Sequence, residues 1–118
     1  MQERRHAPRI LERVELAVTD GGGQLRAETQ NLSIAGAYCL MDRFLPPMTK
    51  LALDMELPTA PRPSRVRCTG VVVRAEPVVA DAEHGKYHIA IFFTDLSDRD
   101  RAAITEFVRQ RIAARSAH

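Results

Sequence analysis

The chain has no tryptophan, and only two tyrosines and four phenylalanines among its 118 residues. Proteins that track a single strand of RNA or DNA stack successive bases on aromatic side chains, so this scarcity argues against a nucleic-acid polymer as ligand. Lysine is nearly missing as well: Lys50 and Lys86 are the only two, against fifteen arginines, and the acids bring the net charge to +2. That sum does not describe a surface of uniformly positive potential. Cysteine is limited to Cys39 and Cys68, far apart, with no Cys-x-x-Cys pair and no histidine placed beside them for zinc. They read as two small apolar residues rather than a metal site or a disulfide framework. His6, His84, His88 and His118 fall in different segments, without a serine or cysteine nucleophile as partner, and no paired-carboxylate signature is present. His84 and His88 lie four apart across a loop and a strand, which is poor metal geometry. No catalytic residue, metal or cofactor is therefore expected. No apolar run approaches the length of a membrane span. The polar, basic first residues carry no secretory signal, so a cytoplasmic protein is expected and the acceptor-like Asn31-Leu32-Ser33 is read as chance.

What is present is a β pattern. At 13.2 kDa there is room for one domain with a core of its own. Residues 1–11 form a polar, Arg-rich arm, in which Pro8 biases Ala7 toward extended backbone. From Glu12 to Thr19 the residues alternate, with Val14, Leu16 and Val18 on one face. Asp20-Gly21-Gly22-Gly23 predicts a hairpin turn. A more polar strand follows over Gln24 to Asn31, then another over Ala37 to Asp42. Pro46-Pro47 breaks the chain, and Lys50 to Leu57 gives the sharpest alternation, with Leu51, Leu53, Met55 and Leu57 inward. Ser64 to Ala75 predicts a long strand whose inward set changes from Val66 and Cys68 to Val71 and Val73, with a bulge or bend at Gly70. Residues 76–85 read as a polar loop, and Tyr87 to Thr94 as a last buried strand.

Ser97 then opens the one helix as its N-cap, with Asp98 and Asp100 near the positive end of the dipole and arginines in the last turns. Ile104, Phe107, Val108 and Ile112 recur at helical spacing as one apolar stripe, suited to covering a barrel mouth or a sheet face. Six strands with regular breakers and a terminal helix predict a mainly β protein: a small six-stranded antiparallel barrel over residues 12–95, a helix packed on it over 96–115, and a flexible arm over 1–11. Closure removes exposed strand edges.

Two short constellations stand out. In Asn31-Leu32-Ser33-Ile34-Ala35-Gly36 an amide, a hydroxyl and a residue without Cβ fall within six positions. Asn31 can both donate to and accept from a base edge, Ser33 can give its hydroxyl hydrogen to a phosphate, and Gly36 lets backbone approach a ligand closely. The same residues are also what any tight turn between strands prefers. In the arm, Arg5 and Arg9 are four positions apart, roughly 13 Å on extended chain, and point the same way. Each guanidinium can fork onto a guanine Hoogsteen edge or a phosphate. An Arg-rich terminus is equally what a solvated tail contains.

Taken together, Arg5-His6-Ala7-Pro8-Arg9 just before a small barrel and Asn31-Leu32-Ser33-Ile34-Ala35-Gly36 early within it resemble the PilZ domain, whose marks are Arg-x-x-x-Arg and Asp/Asn-x-Ser-x-x-Gly. The resemblance implies a receptor for cyclic di-GMP. Carried over by position, Arg5 and Arg9 clasp guanine and phosphate, Asn31 meets a guanine edge, Ser33 a phosphate, and Gly36 admits the ligand to the backbone. Arg4 stands where family members with an additional arginine tend to hold two stacked ligands, which implies two cyclic di-GMP molecules per chain. Asn31 replaces the Asp of many members and offers one acceptor where a carboxylate offers two. Ala90 stands where a glycine is frequent in the last strand, leaving less room beside the site.

The expected mechanism is an arm that orders over the barrel when ligand neutralises its arginines, passing the signal to a protein effector. Two other readings compete with it. One is a PilZ-like adaptor that binds no nucleotide and works through protein contacts. The other is a small barrel for RNA or single-stranded DNA, which would lose affinity steeply with salt.

Overall fold

Strand β1 (Glu15–Thr19) and strand β2 (Gln24–Leu32) are joined by a turn in which Gly21 and Gly23 take φ of 92° and 139°. Asp20 fixes that turn by accepting the Gly22 N–H at 2.9 Å, and it also receives Arg43 at 3.0 Å. The chain continues through β3 (Gly36–Met41), β4 (Lys50–Leu57), β5 (Ser64–Pro77), β6 (Tyr87–Asp95) and helix α1 (Asp98–Ser116). The computed structural model describes residues 13–78 and 85–116. The arm expected over residues 1–11, with Arg4, Arg5 and Arg9, lies outside the described residues, as do His84 and His118.

All six strands pair antiparallel in the order β1-β2-β3-β6-β5-β4, and β1 returns to β4 to close the barrel. The alternation in β4 does what its sequence predicts: Leu51, Leu53, Met55 and Leu57 are buried, while Lys50, Ala52 and Glu56 are exposed. Val14, Leu16 and Val18 join them in the core. Burying such side chains is the main favourable term in holding the barrel together, at roughly 1.5–3 kcal/mol each.

In β5 the expected switch of face at Gly70 does not occur there. Val66, Cys68, Gly70 and Val72 are all buried, Val71 is half-buried and Val73 is 54% exposed. The irregularity lies two or three residues later, where Val72 pairs with Ile91 but Arg74 pairs with Ala90, so Val73 is the extra residue of a bulge. A second shift between Thr69 and Gly70 comes from the β6 side, where Thr94 is skipped. Gly70 keeps its inward place because a Cβ there would sit 2.8 Å from the Ile91 side chain. The strand runs on to Pro77, two residues beyond the predicted end.

One end of the barrel gathers the start of β1, the β2–β3 turn, the end of β6 and the β4–β5 loop. Helix α1 lies across this end, touching β4 and β5. It begins at the predicted cap: the Asp100 N–H donates to Ser97 Oγ at 3.0 Å. Ile104, Phe107 and Val108 are buried, but Ile112 is 43% exposed, because the helix outruns the barrel mouth before its last turns. Gln110 fastens it to the β4–β5 loop through a reciprocal pair with Ala60, accepting its N–H and donating to its carbonyl, both at 2.9 Å. Gln110 also donates to Glu106, which Arg109 grips from the next turn.

Both cysteines are buried, and burial pushes the thiols up to about 12 for Cys39 and about 11 for Cys68. Neither is a ready thiolate at neutral pH.

Gly36 carries the tightest constraint in the barrel. An added Cβ would lie 2.1 Å from the Ile91 carbonyl oxygen and 3.2 Å from the Phe92 Cα, both backbone atoms of the paired strand. Gly36→Ala must push β6 away from β3, and is expected to cost about 3 kcal/mol, the upper end of overpacking penalties, read as a lower midpoint in denaturant without ligand. A second test concerns Glu106, whose carboxyl is held down to about 2, first by the Arg109 hydrogen bond and then by Gln110. A depressed folded pKa stabilises above the unfolded value and is lost as pH falls through the folded one. Comparing acid unfolding of wild type and Glu106→Gln between about pH 4.5 and 2 should show extra loss in the wild type only.

Candidate functional site

The first described residues are tied down beside the predicted turn by one buried side chain. Thr29, with no solvent exposure, accepts the Val14 N–H on its Oγ1 at 2.9 Å, and its own N–H donates to the Val14 carbonyl at 2.9 Å. The hydroxyl acts here as a strand partner just ahead of β1, where the ladder to β2 has not begun. The chain therefore enters the barrel two residues from Asn31. Arg13, just before this anchor, is exposed and reaches Glu28 only loosely, at 4.0 Å.

Asn31 sits on β2 immediately after a bulge. Thr29 pairs with Cys39 and Asn31 with Tyr38, leaving Gln30 as the extra residue. Without it, the inward phase of Ala27 and Thr29 would carry Asn31 into the core. With it, Leu32 is fully buried and Asn31 is half-buried on the outer wall.

The turn that follows is tightly bonded. The Ser33 N–H donates to the Gly36 carbonyl at 3.0 Å, the Ala35 N–H donates to Ser33 Oγ at 3.1 Å, and the Phe93 N–H of β6 donates to the Ala35 carbonyl at 3.0 Å. Ser33 is only 1% exposed, and its bond to Ala35 uses an oxygen lone pair rather than the hydroxyl hydrogen. Gly36 answers to the Ile91 backbone, as described above. Asn31, Ser33 and Gly36 thus share one turn at the helix end of the barrel. Arg4, Arg5 and Arg9, expected to face them, lie outside the described residues.

Ile34, at the tip of the same turn, faces α1 across a small cleft of about 290 Å³ lined also by Thr105, Val108, Arg109 and Ile112. Larger concavities lie on other walls. A groove of about 580 Å³ runs past Arg13, Arg26, Asp54 and Arg65, and an apolar trough of about 800 Å³ past Met48, Leu51, Ala52 and Val71. The cations of the first are matched by acids. Arg65 forks onto Asp54 at 2.8 and 2.9 Å with Arg67 at 3.4 Å, which holds the Asp54 carboxyl below its usual range, and Arg26 meets Glu15 at 3.1 Å.

Three residues beside the turn escape a motif search: Thr29, Tyr38 and Arg74. Thr29 could have been found as a polar residue on an inward phase. Tyr38 is opposite Asn31, next to Ala90, and its ring leans on His88 at 5.0 Å. Arg74 is on the far side of Ala90, 65% exposed in its side chain, with Glu76 at 3.9 Å. Among the described residues no group of three or more histidine, cysteine or acidic side chains is placed to hold a metal ion, and no helix is long and apolar enough to cross a membrane.

Comparison with solved structures places this barrel among relatives of low sequence identity. The Bacillus subtilis inhibitor of motility MotI/DgrA matches with a TM-score of 0.82 at 16% identity, covering 96% of this chain and 53% of its own. The Klebsiella pneumoniae MrkH–c-di-GMP complex gives 0.72 at 17% identity, covering 98% and 56%. Escherichia coli YcgR in complex with c-di-GMP gives 0.69 at 15% identity, covering 98% and 50%. The chain spans about half the length of these proteins. No curated protein matches its sequence. The family model of the PilZ domain matches residues 3–110, nearly the whole chain, and with a closed six-stranded barrel and terminal helix of the same fold the chain belongs to the PilZ domain family.

Proposed function

We propose that this chain is a cytoplasmic receptor for cyclic di-GMP that orders its N-terminal arm over the barrel wall and so signals to a partner protein, without catalysis of its own. The observation that carries the proposal is the Thr29–Val14 pair, which holds the chain at Val14 two residues from Asn31 on β2. Arg9 and Arg5 stand four and eight positions before Arg13, at most about 14 and 29 Å of extended chain, which is reach enough for both to meet a ligand beside Asn31. Family membership and the two relatives described with c-di-GMP support the same ligand.

The division of labour follows the chemistry. Arg5 and Arg9 fork onto guanine and phosphate, each good fork being worth about 1–3 kcal/mol of base discrimination. Asn31, turned outward by its bulge, meets a guanine edge. Ser33 has a hydroxyl hydrogen to give to a phosphate while its oxygen holds Ala35. Gly36 keeps the turn closed on β6, so its contribution to the ligand is to fix where Asn31 and Ser33 stand. Arg4 adds a third cation and a capacity for a second, stacked ligand. The arm's ordering entropy is lowered in advance by Pro8.

One observation favours the adaptor reading. Ser33 is nearly inaccessible and Gly36 is demanded by the strand contact, so both motif residues have a purpose in a barrel that binds nothing. Calorimetry with cyclic di-GMP separates the two. Wild type should bind, Arg5→Ala should bind roughly ten- to a hundredfold more weakly, and Ser33→Ala should lose affinity together with a modest fraction of stability. Two ligands per wild-type chain should fall to one in Arg4→Ala. No heat with wild type removes the receptor reading in favour of the adaptor, and equal binding by all variants removes the site.

A further inference from the structure

Large apolar side chains gather on the outer wall of β4, β5 and β6, on a face that the ligand reading leaves unused. Phe92 of β6 is 52% exposed and lies opposite Val71 of β5, which in turn lies opposite Lys50 of β4. Val73, the extra residue of the β5 bulge, stands out beside them. Met48 is 76% exposed and is tied to the same strand, its N–H donating to the Val72 carbonyl at 2.7 Å. Phe92, Val73 and Met48 together leave roughly 300 Å² of apolar surface in water, the size at which a patch on a monomer begins to mark an interface.

Met48 is also held in a strained backbone. Its φ of 76° lies in the left-handed region, which a residue with a Cβ rarely adopts and which persists only where its surroundings enforce it. Thr49 does the enforcing. Its hydroxyl and N–H both donate to the Pro46 carbonyl, at 2.6 and 3.2 Å, while its own carbonyl accepts the Val72 N–H at 2.9 Å. The result is a methionine held out at the rim of the apolar trough.

The face is a knob and a hollow side by side. The trough of about 800 Å³ runs along the β4 side of β5, floored by Leu51 and Gly70 and walled by Met48, Lys50 and Ala52. The knob, Phe92, stands on the β6 side, one strand spacing from Val71, or roughly 5 Å. A two-fold axis lying along β5 in the plane of contact exchanges these two sides, so that each Phe92 enters the trough of a second copy. Both copies then present the same surface, as in most dimers. Charge follows the same exchange. Lys50 is exposed on the trough side, and on the knob side β6 ends in exposed Asp95, opposite Thr69. The axis carries each Lys50 over the other copy's β6, toward its Asp95.

We infer that this face joins two copies of the chain in a two-fold dimer, Phe92 of each seated in the trough between Met48 and Ala52 of the other. A contact with so small an apolar core falls at the low end of specific interfaces, below about 1,200 Å² in total, so the dimer forms in the micromolar range. It does not depend on the cyclic di-GMP reading.

Sedimentation equilibrium without ligand, from about 10 μM to 1 mM chain, tests it. The mass should rise with concentration from 13.2 kDa toward twice that value. Phe92→Lys sets a cation against the second copy's Lys50 and should weaken association about tenfold or more. Met48→Gly takes away a wall of the trough while relaxing the left-handed backbone, so association should weaken with no fall in the thermal midpoint. Lys50→Glu should weaken it as well, and adding Asp95→Lys should restore it, which an unspecific apolar patch would not show. A mass of 13.2 kDa at every concentration overturns the dimer, and a dimer indifferent to both Phe92→Lys and Met48→Gly overturns this face as its interface.

Discussion

A closed six-stranded barrel must give every second side chain of each strand to a core only one layer deep, and a polar group caught on the wrong phase would be buried without water. This chain meets that constraint in most strands by plain alternation, as in Leu51, Leu53, Met55 and Leu57. In β2 and β5 it inserts one residue instead, and the consequence is a polar residue delivered to the outer wall with an apolar one behind it: Asn31 then Leu32, Arg74 then Ala75. The exception is Thr29, which stays inside because its hydroxyl and amide are both spent on Val14. That one buried pair holds Val14 against β2 ahead of the β1 ladder.

Function on this fold is a matter of which wall is left open for it. The wall of β1, β4 and β5 around Asp54 is occupied by its own ion pairs, and the mouth near the β2–β3 turn is covered by α1 through Phe107 and the Gln110–Ala60 link. The β2–β3–β6–β5 wall combines an amide, a ring and a guanidinium separated by a small residue. In the proposed receptor, the ligand is held between this wall and the arm's arginines. On that proposal, each arginine that meets the ligand gains a charge-assisted partner in exchange for conformational freedom.

Much of the fold was legible in the residues. Periodicity locates all six strands, Ser97 marks the helix start, and the two motifs resemble those of the PilZ family. The bulges were harder to place. Polar Asn31 and Arg74 both fall on the inward phase of their strands, which is itself the signal, but the run Val71-Val72-Val73 is apolar on both phases and disguises the second. The motif marks Gly36 as an opening for a ligand; the structure adds a close approach to the Ile91 backbone, a contact between strands distant in sequence that no local pattern contains. Ile112 fits the helical stripe yet is half-exposed, because helix periodicity does not say where the barrel beneath it ends.

Whether the bulged wall is the nucleotide face is decided by amide and side-chain chemical-shift mapping on titration with cyclic di-GMP. The largest perturbations are expected at Asn31, Tyr38, Ala90, Arg74 and the Ser33–Gly36 turn. Perturbations confined to the Asp54–Arg65–Arg67 wall or to the trough around Met48 and Val71 would contradict it.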